Sequence, residues 1–109
     1  MQDLVVNINE TLAKLKKSIS GRYNISKQRA NAEYQYRTAL GREMAISKAE
    51  GMAATALYDF CRGREYIAEL RCKRDTLIAQ EEYLTELIFF YRSELRVLEG
   101  QMKAESQGT

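Results

Sequence analysis

The chain has no proline, no histidine and no tryptophan, and only two cysteines and six glycines in 109 residues. Without proline, nothing in the covalent chain obliges a helix to kink or stop. Without histidine, the commonest general base and metal ligand is missing. Cys61 and Cys72 alone cannot complete a tetrahedral zinc site. Neither a glycine-rich phosphate loop nor a Gly-x-Ser-x-Gly elbow occurs. No apolar run approaches the roughly 20 residues of a membrane span, and the N-terminus has no basic segment leading into an apolar one. An enzyme, a metal or cofactor carrier and a membrane protein are therefore not expected, and the chain reads as a cytoplasmic protein. Eleven residues apart and without a secretion signal, the two cysteines read as free thiols.

What is present favours helix. Ala, Leu, Glu, Lys, Arg and Gln fill most positions. From Ile67 onward a heptad seam runs along the second half, with Ile67, Leu70, Leu77, Leu84, Ile88, Tyr91, Leu95, Leu98 and Met102 at alternating steps of three and four. Arg74 and Glu81 occupy two further seam positions. Polar groups there either fix register or snorkel to the seam edge. A helix with such a seam must bury it against another helix.

Glycine punctuates the rest. Glu50-Gly51-Met52 ends one helix with a left-handed cap, and Arg62-Gly63-Arg64 closes a short one. The expected elements are an N-terminal helix over 3–20, a first arm over 26–50, a short helix over 53–62 and a long second arm over 64–104, with a frayed tail at 105–109. The stripe Val5, Ile8, Leu12, Leu15, Ile19 loses its phase near Ser18–Asn24, where Ser20 and Gly21 predict a bend or break. The fold class is all-α, a long antiparallel helical hairpin with a bent or folded-back N-terminal helix. Charge agrees with antiparallel pairing: residues 1–48 carry nine basic and four acidic side chains, and residues 49–109 carry eight and eleven.

Two surfaces remain as candidates for function. Phe89 and Phe90 lie outside the seam and, with Leu87 and Val97, widen the apolar arc beyond what one partner helix covers. They predict a homo-oligomer, most simply a dimer, or a protein partner. The alternative is nucleic acid, contacted by Lys14, Lys16, Lys17, Arg22, Lys27 and Arg29, with Arg62 and Arg64 adding a second basic point. The acidic run Glu81, Glu82, Glu86 reads as a solvated helix face.

The run Ala32-Glu33-Tyr34-Gln35-Tyr36-Arg37-Thr38-Ala39-Leu40, the turn Ala49-Glu50-Gly51-Met52, the step Asp59-Phe60-Cys61-Arg62-Gly63-Arg64 and the stretch Ala68-Glu69-Leu70-Arg71 with Arg74-Asp75 carry a resemblance. In this order they resemble small coiled-coil proteins encoded in early gene clusters of bacteriophages and prophages, near replication and recombination functions. The match spans roughly residues 30 to 103. It implies a helical hairpin acting in the host cytoplasm on a host or phage protein of nucleic-acid machinery or defence. It supplies no catalytic or binding residues.

Overall fold

A computed structural model describes residues 2–108 and contains three helices: α1 (Gln2–Ala49), α2 (Ala54–Arg62) and α3 (Glu65–Gly108). The two long helices pair antiparallel, as the seam on α3 requires. Each of the eleven seam positions from Ile67 to Met102 is buried or half-buried, Arg74 and Glu81 included. No helix among the described residues is long and apolar enough to cross a membrane.

The chain divides into two compact units. A turn unit comprises Ile25–Ala79. A terminal unit comprises α1 up to Asn24 with α3 from Gln80.

In the turn unit α1 ends where the sequence places its stop. Gly51 takes φ 95°, the left-handed conformation that costs a side-chain-bearing residue about 1–2 kcal/mol. The Met52 amide donates to the Ser47 carbonyl at 3.1 Å and the Gly51 amide to Lys48 at 3.0 Å, a Schellman closure. Met52 thereby turns back onto the core. That core joins Tyr36 and Leu40 of α1, Leu57 and Cys61 of α2 and Ile67 of α3. Its three-way packing is why α2 forms. Nine residues make a marginal helix alone, but Leu57 and Cys61, four apart, bury one face of it. Both cysteines are free thiols, Cys61 buried and Cys72 exposed.

The terminal unit has two helices and a thinner interior. Thr11 donates to the Glu94 carboxylate at 3.2 Å, and the Arg22 guanidinium donates to the Thr85 hydroxyl at 2.8 Å. Rising numbers on α1 meet falling numbers on α3, so this pairing too is antiparallel.

Two expectations are corrected. Residues 3–20 and 26–50 are not separate helices, because α1 runs unbroken through Ser18–Asn24 and nothing folds back. The inward positions of α1 include Ile8, Thr11, Leu15, Ser18, Gly21, Ile25, Arg29 and Ala32, a continuous three-four pattern hidden by small and polar residues. Ser18 satisfies its hydroxyl within the helix by donating to the Lys14 carbonyl at 2.9 Å. Gly21 is not a break but faces Leu84 across the pair: a Cβ there would meet a Leu84 methyl at an ordinary contact distance of 3.7 Å. The second correction concerns the tail, because α3 continues to Gly108, past the expected end at Ala104.

Candidate interaction site

The turn unit joins several of its polar side chains to one another. Arg74, expected on the seam, has its side chain only 19% exposed. It donates to Glu33 at 3.2 Å and to Asp75 at 2.9 Å while lying 4.5 Å over the Tyr36 ring. Here the seam arginine bridges α1 and α3, which fixes their register through a directional contact. Glu33 also accepts from Arg37, and that bond is the main reason its carboxyl is held below the usual range; burial opposes it and Arg74 adds to it. A groove of about 380 Å³ opens beside this network, lined by Tyr36, Leu40, Met44, Tyr58, Arg62 and Arg74 among others. The Arg62 guanidinium lies 5.7 Å from the Tyr58 ring centre, and its Nε is buried without an acceptor.

Glu43 is the second internal hub. It is buried on α1, receives Arg64 at 2.8 Å and accepts the Tyr66 hydroxyl at 2.9 Å. A phenol that donates to a carboxylate resists ionisation, so Tyr66 titrates above its ordinary value of 10.0, with desolvation adding to the hydrogen bond. Its folded-state value is raised. The contribution of this contact is therefore complete below the ordinary phenol range and is lost as pH rises through the raised value. An absorbance titration at 295 nm, differenced against Tyr66→Phe, is expected to show a late phenol that moves back toward its ordinary value in Glu43→Gln. An unmoved late phenol in that variant would remove Glu43 as the cause.

The terminal unit differs in kind. Ile88 is the one buried apolar side chain among its described residues, beside buried Thr11 and Ser18. Outside the seam, Tyr83, Phe90 and Val97 are 63%, 60% and 60% exposed and Phe89 is 57% exposed. The residues Tyr83, Phe90 and Val97 are spaced by seven and so form one stripe along α3. Beside it runs a groove of about 410 Å³, lined by Lys14, Lys17, Ser18 and Gly21 of α1 and Leu84, Leu87 and Tyr91 of α3. Leu87 is half-buried, on the wall of this groove, while Phe90 packs edge-on to Tyr91 with ring centres 5.5 Å apart.

The basic residues expected to contact nucleic acid are spread over both units. Lys14, Lys16, Lys17 and Arg22 belong to the terminal unit, and Lys27, Arg29, Arg62 and Arg64 to the turn unit. Among them Arg22 donates to Thr85, Arg64 pairs with Glu43 and Arg62 lies against Tyr58, and Lys27 and Arg29 are also engaged within the chain. Lys14 and Lys17 line the groove; Lys16 does not. The sequence signal for Phe89, Phe90, Leu87 and Val97 was their place outside the heptad. The Lys14–Gly21 wall had no such signal, since its partner Leu84 is reached only through pairing of α1 with α3.

No protein-family model, curated protein or solved structure matches the chain, so its own side chains carry the functional reading.

Proposed function

We propose that this chain is a non-enzymatic interaction module that self-associates and binds or inhibits another protein through the C-terminal half of α3. One observation carries the reading: among its described residues the terminal unit buries a single apolar side chain, Ile88, while Tyr83, Phe89, Phe90 and Val97 stay exposed on the same helix. Each large apolar side chain moved out of water stabilises an assembly by about 1.5–3 kcal/mol at full burial, and exposed contiguous apolar surface of this kind marks protein contacts. The phage-protein resemblance sets the context: a partner in host or phage nucleic-acid machinery or defence, met in the host cytoplasm.

The test has two readouts. Light scattering at high micromolar concentration is expected to give a mass above the 12.6 kDa of one chain. Affinity isolation from host or infected lysate is expected to recover a specific protein that Phe89→Asp/Phe90→Asp loses while keeping its helical circular dichroism. A strictly monomeric mass ends the self-association claim. Retention of every partner by a folded double variant removes the aromatic pair as the binding surface.

A further inference from the structure

We infer that the groove of the terminal unit receives a second copy of this chain in an isologous pair: the Tyr83–Phe90–Val97 stripe of each copy fills the Lys14–Gly21/Leu84–Leu87 groove of the other, with Glu86 set against Lys14 and Lys17. The inference rests on the self-association reading above and specifies its geometry. Both halves of the match lie on one unit. The groove is apolar along Leu84, Leu87 and Tyr91, and Gly21 leaves its α1 wall low. Beside it on α3 is an exposed stripe with no cover.

Charge selects the occupant. The groove rim on α1 is basic, through Lys14 and Lys17, and among the described residues no ion pair engages either lysine. The stripe is bordered by Glu86, exposed and likewise without an ion pair among the described residues, which sits three residues after Tyr83 and four before Phe90 and therefore one turn from both. The segments carry the same complementarity more broadly. Residues 1–24 hold four basic and two acidic side chains, and residues 80–109 hold six acidic and three basic. A two-fold axis satisfies both contacts at once, since a self-complementary patch closes as a dimer without leaving a free end. The product is a four-helix arrangement in which each terminal helix gains a second apolar neighbour, the usual way a bundle completes its core. Phe89 is one position, about 100°, around the helix from Phe90 and does not enter this contact.

Charge exchange tests the geometry. Dimer dissociation is followed by sedimentation equilibrium, with circular dichroism as the check on folding. Lys14→Glu/Lys17→Glu and Glu86→Lys are each expected to weaken the homodimer at least about tenfold. Mixed one to one, the two variants are expected to form a heterodimer close to wild-type affinity, because every inverted rim then faces an inverted or native partner of opposite sign. Phe90→Asp is expected to give monomer and Phe89→Asp to leave the dimer intact. A monomeric wild type overturns this proposal together with the self-association reading. A wild-type dimer whose charge variants show no rescue on mixing, or that tolerates Phe90→Asp and yields to Phe89→Asp, overturns this geometry alone.

Discussion

Ile67→Ala is expected to lower the unfolding free energy by about 3 kcal/mol, a large fraction of the roughly 5–15 kcal/mol that holds a domain together. Ile67 has no exposed surface and stands where α1, α2 and α3 meet, against Tyr36, Leu40, Leu57 and Cys61. Truncation removes apolar atoms that had left water and opens a void that three helices cannot close together. Helix propensity works the other way, since alanine is the better helix former by a few tenths of a kcal/mol. The void dominates. Urea unfolding should show a lower midpoint with an unchanged slope. A loss below about 1 kcal/mol would mean that the site collapses and that α2 is not held by this residue.

Ile88→Asp is expected to open the terminal unit while the turn unit stays folded. Ile88 lies on α3 between Leu84, which approaches Gly21, and Glu94, which accepts from Thr11, so its side chain serves the thinnest part of the interface. A carboxylate there exchanges apolar burial for an unpaired charge, a change of about 3 kcal/mol or more. Among its described residues the unit has no other buried apolar side chain to absorb it. Hydrogen exchange should lose protection in residues 2–24 and 80–108 and keep it around Tyr36, Leu57 and Ile67, whose packing is untouched. Uniform loss across both units would show that they unfold as one. Unchanged protection would place Ile88 outside the seam.

Much of α3 was legible because its seam is written in large side chains. Eleven positions at three-four spacing tolerate only one helical phase, and each is buried or half-buried. The Gly51 cap was equally legible, since only a residue without a Cβ takes φ 95° without strain. The seam of α1 was not legible. Thr11, Ser18, Gly21 and Ala32 face inward, and a reader following apolar residues selects Val5 and Ile19 instead, both of which are exposed. What an inward residue packs against, here Leu84 facing Gly21, is distant in sequence.

The opposed charges of the two arms pointed to antiparallel pairing but not to particular bonds. Pairing of Glu33 with Arg74, and of Glu43 with Arg64 and Tyr66, depends on register, which a shift of one residue would abolish. The candidate site divides in the same way. Phe89, Phe90, Leu87 and Val97 stood out from the heptad alone, whereas the groove lined by Lys14, Lys17 and Gly21 exists only once α1 lies against α3.

The amino-acid order by itself determined that the chain is helical, where its turn falls and which face of α3 must be covered. Those properties follow from local propensity, a single glycine conformation and the period of large apolar side chains. Tertiary structure decided that α1 continues through Gly21, that Arg74 bridges the helices and that the aromatics of α3 remain uncovered beside a basic-rimmed groove. Each of these depends on which residues meet across the pair, and the identity of a facing residue is a property of register that no local pattern contains.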